Sequence, residues 1–380
     1  MDPAWLFIGA LVALHVIEGL FWVRREAVGF ARGARRHRVV RPEGPFGNHR
    51  GGFLLLSPLP PLGETFVVEP WPLTVGAEQV WLTPAETLGA PEAPAPGAGS
   101  WSWVEAVRVR REAKAIFGPG KRSANTSSGR LAADLVQHLH ALAELKPKPR
   151  AKAATAAVER GHDVAAVKAR LRAFEKATAR LGVYGNAWLP LMLGGAYGLF
   201  FVPAALDRWP YLLGAMGVLL LLTWVELFIA HRRLYPDLRG ERWLKLMLMV
   251  LSPPAASRAR AWLARDALAG FHPLAVAAVL LSQDDFRAFA GEVWRDLVHP
   301  LGPDDPEAAA DLTAARARLM AAHRKLLVAQ GVEPDSLDGP PEVLEPSVRA
   351  YCPRCHETFL DPEGDCSDCP GVPRRAVQAA

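Results

Sequence analysis

The chain has 380 residues, half of them hydrophobic and 22% charged, with a formal net charge of +5 at pH 7. That length accommodates two or three domains, and a mean hydropathy of +0.08 is high for a protein bathed in water on all sides. The excess of cations does not mark a nucleic-acid binder, because the arginines cluster beside apolar runs, where membrane topology accounts for them.

In chain order the first element is Ala4–Val23, twenty mostly apolar residues. As a helix it would measure about 30 Å, the thickness of a bilayer's hydrocarbon core. MDPAW carries no cation ahead of it, which speaks against a cleaved signal peptide. Arg24, Arg25, Arg32, Arg35, Arg36, Arg38 and Arg41 follow instead. Residues 1–23 are therefore expected to be an uncleaved anchor with its N-terminus outside. Residues 24–49 form a basic juxtamembrane segment on the cytoplasmic side.

Residues 50–145 change character. Short β-rich runs (GFLLL, ETFVVEPWPLTV, EQVWL, WSWVEAVRV, EAKAIFG) alternate with Gly/Pro turns, the pattern of an antiparallel sheet system. LGAPEAPAPGAGS, at 88–100, reads as a loop. SSGRLAADLVQHLHALAEL then has a helical period with Leu131, Leu135, Leu139 and Leu142 on one face, and Ser127 or Ser128 as N-cap. FGPGKRS (117–123) has a Gly-rich turn with a lysine, but Arg122 follows Lys121 and Ala115 stands where a phosphate loop needs its first glycine; a hairpin turn fits better. The Trp103-Val-Glu-x-Val stretch, the Gly turn at 118–120 and the closing helix make this part resemble the pleckstrin-homology-like domains of some bacterial membrane proteins. That resemblance implies binding of partners or lipids and no catalysis.

Residues 146–183 read as a basic, Pro-containing linker (KPKPRAKA) and an amphipathic helix with the stripe Val164, Val167, Leu171 and Phe174. His162 and Asp163 are expected as polar groups at that helix start, with no nucleophile placed beside them. Residues 184–231 supply two more spans, Tyr184–Leu206 and Trp209–Ala230, as a tight transmembrane hairpin. Trp188, Trp209, Tyr211 and Trp224 lie toward their ends, and the basic HRRLYPDLRGERWLK comes after. Gly194-x-x-x-Gly198 and Gly9-x-x-x-Ala13 are pairs of small residues that permit close helix approach. Ionisable residues in a bilayer are functional candidates, which singles out His15, Glu18 and Glu226.

Residues 232–330 contain cytoplasmic or interfacial helices. Trp243–Leu251 and Phe271–Leu281 are too short to span. Between them ASRARAWLARDALAG fits either a basic helix on the membrane surface or a soluble core helix. Two further helices are expected in QDDFRAFAGEVWRDLVHP and DPEAAADLTAARARLMAAHRKLLVAQG, then an acidic linker at 331–350.

All four cysteines fall in residues 351–372, as Cys352-Pro-Arg-Cys355 and Cys366-Ser-Asp-Cys369, ten residues apart. Each C-x-x-C turn presents two thiolates to one ion, and two such turns complete a tetrahedral S4 site. The segment resembles the zinc-ribbon family, with Tyr351 before the first hook and a turn at Asp361–Gly364. Pro370-Gly371 after the second hook departs from the Cys-Gly of rubredoxins. The expected cofactor is a structural Zn2+ on Cys352, Cys355, Cys366 and Cys369, with iron the second choice. Disulfides do not suit a reducing cytoplasm, and His356 is a surplus ligand.

The whole is expected to be an α-helical membrane protein with three transmembrane helices, a cytoplasmic α+β (β-rich, PH-like) domain, a helical C-terminal segment and a small zinc ribbon. It resembles multi-pass proteins of the bacterial inner membrane with soluble parts and C-terminus in the cytoplasm. The role that suits it is a non-enzymatic scaffold or regulator, partnered by the lipid bilayer, by cytoplasmic proteins and by further copies through its membrane helices. The acids of the ribbon, Asp361, Glu363, Asp365 and Asp368, argue against nucleic acid. A transport accessory using His15, Glu18 and Glu226 is the alternative. A membrane-associated enzyme comes third, since no open metal site, nucleophile–base pair or nucleotide loop is visible.

Overall fold

The computed structural model describes residues 20–24, 27–32, 37–40, 43–48, 51–55, 64–71, 73–76, 79–82, 100–112, 115–118, 123–126, 129–202, 209–235, 250, 255–300, 309–341 and 347–377, with 5, 6, 9 and 13. Among these, six strands come first: β1 (Leu20–Arg24), β2 (Val28–Arg32), β3 (His37–Val40), β4 (Glu43–Asn48), β5 (Gly51–Leu55) and β6 (Glu64–Val68). Next are β7 (Leu73–Val75), β8 (Gln79–Leu82), β9 (Ser100–Ser102), a helical turn α1 (Trp103–Ala106), β10 (Arg110–Glu112), β11 (Ala115–Phe117) and β12 (Ser123–Asn125). Helices then take over: α2 (Gly129–Ala143), α3 (Pro147–Gly161), α4 (Val164–Phe201), α5 (Trp209–Leu234), α6 (Ala255–Ala267), α7 (Pro273–Leu280), α8 (Gln283–Val298) and α9 (Ala309–Ala329). A 3-10 turn, Pro334–Asp338, precedes β13 (Ala350–Tyr351), β14 (Thr358–Phe359) and β15 (Arg375–Ala376). The protein is thus mostly helical, with small three-stranded sheets.

The chain forms two compact units that interleave along the sequence. The first holds Met1–Val23, Val28–Val68 and Ala165–Leu268; the second holds Arg24–Ala27, Glu69–Val164 and Ala269–Ala380. The strands of 50–145 accordingly fall in both, parted between Val68 and Glu69.

In the first unit β2 lies between β3 and β6, both antiparallel, with Phe30 opposite Val39 on one side and Phe66 on the other. Phe66 meets Phe174 of α4 edge-on at 6.0 Å, and Val167, Leu171 and Phe174 are buried as their spacing requires. The Arg-rich segment left open between two environments is a core helix, α6. Leu263, Ala264, Arg265 and Asp266 are each at most 5% exposed. Its Arg260 binds Glu64 of β6 at 3.1 Å and donates to Thr178 Oγ1 at 3.1 Å. Small alanines let this helix approach closely while Glu64 neutralises the guanidinium.

Among the described residues one helix, Pro210–Leu234, is long and apolar enough to cross a membrane. Its mean hydropathy is 2.2, and 17% of its apolar window is buried. Three spans are not supported. Of the first, Ala4–Val23, the C-terminal end is strand β1, where Leu-Phe-Trp-Val is a β-favouring run. Most of residues 4–19 lie outside the described residues, as do 203–206 of the second. The rest of the second span is the C-terminal part of α4, whose apolarity is diluted by Gly185, Asn186, Gly194, Gly195 and Gly198. It nonetheless packs on α5: Trp188, Met192 and Leu219 are buried together with Tyr184, Leu191 and Met216. The small residue at that contact is Gly195, beneath Leu212, whereas Gly194 opens onto empty space.

In the second unit β7–β8–β9 and β10–β11–β12 are separate sheets. Leu73, Val80, Trp101, Trp103 and Ile116 form one core with Leu131, Leu135, Leu139 and Leu142 of α2, so the helix closes the strands as its period predicts. Phe117 pairs with Ser123, which makes FGPGK a hairpin connection. Ser127 and Ser128 lie outside the described residues. WSWVEAVRV is not a continuous strand. Ser102 and Glu105 form a reciprocal capping box, each side chain bonded to the other's backbone N–H, and this winds Trp103–Ala106 into a helical turn.

Lys146–Lys152, expected as linker, starts helix α3, with Lys146 as N-cap and Pro147 in the first turn. Prolines are tolerated there because the first N–H groups of a helix have no intrahelical partner. Arg150 is buried, donates to the carbonyls of Leu142 and Leu145 at 3.0 and 2.6 Å, and lies 4.4 Å over the Trp103 ring. It therefore ties α3 to the turn that follows α2. The run Phe271–Leu281 is also core: Leu274, Ala275, Val276 and Ala277 of α7 are fully buried. Most of Trp243–Leu251 lies outside the described residues.

Candidate metal centre

Three two-residue strands build the cysteine module. Tyr351 pairs with Thr358 of β14 on one side and Arg375 of β15 on the other. The first hook turns immediately after β13: Cys352 donates its N–H to the Glu357 carbonyl (2.8 Å), and His356 donates to the Cys352 carbonyl (3.0 Å). His356 closes this turn at φ 63°, a left-handed conformation that costs a non-glycine residue roughly 1–2 kcal/mol. In the second hook Gly371, at φ 78°, does the same one position later. Cys366 N–H bonds the Val372 carbonyl, and Val372 N–H bonds the Cys369 carbonyl, both at 3.0 Å. The Pro-Gly departure from the Cys-Gly pattern is thus absorbed by shifting the left-handed residue along by one.

The four cysteines converge. Their sulfurs lie within 4.8 Å of one another, and all four are free thiols. Cys355 Sγ and Cys366 Sγ are 3.6 Å apart, far beyond a disulfide bond of about 2.05 Å. They are close to the ~3.8 Å separation that four Zn–S bonds of about 2.3 Å set at a tetrahedron. Cys352, Cys366 and Cys369 are buried and Cys355 is exposed.

The electrostatics of this set call for a cation. Burial resists ionisation of Cys352, but backbone N–H groups of Cys355 and Arg354 and the neighbouring thiols outweigh it and hold its pKa below the ordinary value. Burial and the same thiols push Cys355 up to about 12, and burial with the charge at Cys352 pushes Cys369 up. One thiolate is accommodated, while further ones repel it unless a positive ion stands between them. The donor set fits a metal such as zinc, and with four protein ligands it would be a closed, structural site.

The module does not hang from a linker. Arg354, 6% exposed, binds Asp296 of α8 at 3.1 Å and donates to the His299 carbonyl at 2.6 Å. Arg295 Nε donates back to the Arg354 carbonyl at 3.1 Å. Asp338 contacts His299 at 2.6 Å and Arg375 at 3.1 Å. Burial raises the Asp338 pKa, but those two hydrogen bonds and charges outweigh it and hold the carboxyl below its usual range. The acidic stretch at 331–350 therefore includes the docked 3-10 turn, with Pro334 and Leu337 buried; residues 342–346 lie outside the described residues.

Of the other expected site residues, only Glu226 and His162 are described. His15 and Glu18 lie outside the described residues. Glu226 is buried against α4, where Arg180 donates to its carboxylate at 3.0 Å. His162 is no helix-start group. It caps the C-terminus of α3 and lies against His272 and His323, with ring centroids 4.5 and 4.8 Å away. Sequence reading missed this triad, whose members are far apart in the chain and follow no motif.

No family model, curated protein or solved structure matches this chain.

Proposed function

We propose that the protein is an integral scaffold or regulator of the bacterial inner membrane, non-enzymatic, with its soluble parts in the cytoplasm and a zinc ribbon that shapes a partner-binding surface. The observation that carries this reading is the bare apolar surface of α5. Tyr211, Leu213, Val218, Leu221 and Phe228 are each between 47% and 79% exposed. Val183, Tyr197 and Phe201 continue it on α4. So many large apolar side chains exposed on two helices are unfavourable in water and belong against lipid or another protein. The arginines after Ala230 support a cytoplasmic flank for α5, and thiolates able to hold zinc suit that reducing compartment.

On the ribbon, Leu360 is 71% exposed amid Asp361, Glu363, Asp365 and Asp368, a surface suited to a basic partner with an apolar anchor.

Alkaline carbonate extraction of membranes tests the anchoring: the chain is expected to stay in the membrane pellet, and release into the supernatant would refute it. Site-specific crosslinking from Leu360 tests the scaffold role. A defined adduct on the wild type that disappears in Asp361→Lys/Glu363→Lys supports it, and the absence of any adduct removes the ribbon from it.

A further inference from the structure

Three segments of the second unit bring histidines to one point. His162 ends α3, His272 caps the N-terminus of α7, and His323 lies within α9. Two of these segments are bonded through their backbones, the His272 N–H to the Gly161 carbonyl at 2.8 Å. Gly270, at φ 88°, makes the sharp turn that allows this. Lys325 of α9 reaches Glu159 of α3 at 3.5 Å on the same side.

Backbone carbonyls fix the tautomers of two of the rings. His162 Nδ1 donates to the Val158 carbonyl at 2.7 Å, and His323 Nδ1 donates to the Leu319 carbonyl at 2.8 Å. Each proton is thereby placed on Nδ1, which leaves an Nε2 lone pair free. This backbone-carbonyl arrangement is the one by which ligating histidines are usually oriented. His162 is 9% exposed and its Nε2 is buried with no hydrogen-bond partner. His323 is 1% exposed.

One ligand nitrogen from each ring lies within 4.8 Å of the other two, and the ring centroids are 4.5, 4.8 and 4.6 Å apart. For bonds of about 2.0–2.1 Å, such centroid separations subtend roughly 90–100° at a shared ion; the His162 and His272 planes are stacked at 17°, so shared ligation requires the His272 ring to turn out of that stack. His272 is the member that must adjust, because its Nδ1 accepts the Leu274 N–H at 3.2 Å in a helix cap.

We propose that His162, His272 and His323 form a second metal site, which takes a zinc-class divalent ion on three imidazole nitrogens and leaves its fourth position to water. Imidazole donors suit zinc, copper, nickel and iron; with neither thiolate nor carboxylate in the set, calcium and magnesium do not fit. Burial keeps all three rings neutral, the form that ligates, with His162 and His272 lowered and His323 pushed down to about 3. Unlike the closed cysteine site this one has three protein ligands, the open coordination of a site that can polarise a bound molecule. The inference is independent of the scaffold reading and of the ribbon's metal.

The test uses the full-length chain in detergent, stripped of metal and reloaded with Zn2+ or Co2+. Two ions per chain are expected, one giving thiolate-to-cobalt charge-transfer bands and one giving only the ligand-field bands of a nitrogen-bound ion. His272→Asn keeps a side-chain acceptor for the Leu274 N–H. It should fall from two ions to one with the thiolate bands intact, whereas Cys366→Ser/Cys369→Ser should lose those bands and keep the other ion. Absence of a nitrogen-bound ion in the wild type, or its retention in His272→Asn, overturns the proposal. Should the variant misfold, the wild-type cobalt spectrum decides alone: thiolate bands without a second, nitrogen-bound species mean that the triad is only a hydrogen-bonded core cluster.

Discussion

Replacing Arg354 with methionine keeps most of the side chain's apolar length and removes only its charge and its donors. The guanidinium is 5% exposed, Asp296 opposite it 19%. The substitution takes away one ion pair at 3.1 Å and one charged hydrogen bond to the His299 carbonyl at 2.6 Å. Breaking a fully buried pair costs about 3–5 kcal/mol, and a hydrogen bond to a charged group contributes about 1.5–3 kcal/mol. Asp296 retains some access to water, so an undocking cost of about 2–3 kcal/mol is expected. The contact joins the ribbon to α8 and none of its atoms ligates the metal. The variant should therefore keep its cysteine-bound zinc while the ribbon opens away from the helices roughly 30- to 150-fold more often. Limited proteolysis within 339–349 of the full chain, at protease levels where cleavage tracks the open population, measures this directly. A cleavage rate within threefold of wild type, at unchanged zinc content, would refute the assignment of Arg354 as the docking residue.

Gly118→Ala should cost about 1–3 kcal/mol, read as a lower chemical-denaturation midpoint. The added methyl would overlap the indole of Trp101, which is fully buried. Glu226→Gln weakens the contact with Arg180, whose side chain is 73% exposed, so solvent screening makes the loss of stability small. Unchanged proton or ion flux in vesicles would retire the transport alternative. In metal-free protein the histidine triad makes stability depend on pH. The folded pKa values lie below the unfolded value of about 6.5, so the unfolded chain binds more protons in acid. Its contribution is complete above pH 6.5 and is lost as pH falls toward 3, by up to about 1.4 kcal/mol per pH unit for each histidine. His323→Leu should flatten that slope between pH 6.5 and 4.5 in denaturation midpoints, and an unaltered slope would contradict a neutral, buried His323. For a metal-loaded chain, chelation should strip the cysteine site and unfold residues 350–377 ahead of the helices, visible as rapid amide exchange there.

Features encoded by neighbours in sequence were legible. The leucines of α2 follow a helical period and are buried together, and two C-x-x-C hooks announce converging thiols because each turn aligns its own pair of sulfurs. Ser102-x-x-Glu105 was legible in principle, yet the surrounding Trp and Val residues suggested a strand. Prolines in KPKPR concealed a helix start, since only position within the first turn makes them harmless. The histidine triad left no local trace. His162 and His272 are 110 positions apart and His272 and His323 are 51 apart, so only the packing of α3, α7 and α9 unites them. The burial of Arg354 was hidden likewise, because its partners Asp296 and His299 belong to a different element. Tyr184–Leu206 misled through average composition: the apolar ends mask the glycines and Asn186 between them.

The docking of the ribbon also has a temporal side. Arg354 is made 55 residues after His299, whose carbonyl it satisfies. At roughly 5–20 residues per second, α8 waits some seconds on the ribosome before that donor exists, and the cysteines must then gather an ion to present it. If the cysteines take a metal ion, its supply during synthesis would set when this helical surface is sealed. A metal-starved cell would then accumulate chains in which the face of α8 beside Asp296 still stands open to proteases and chaperones.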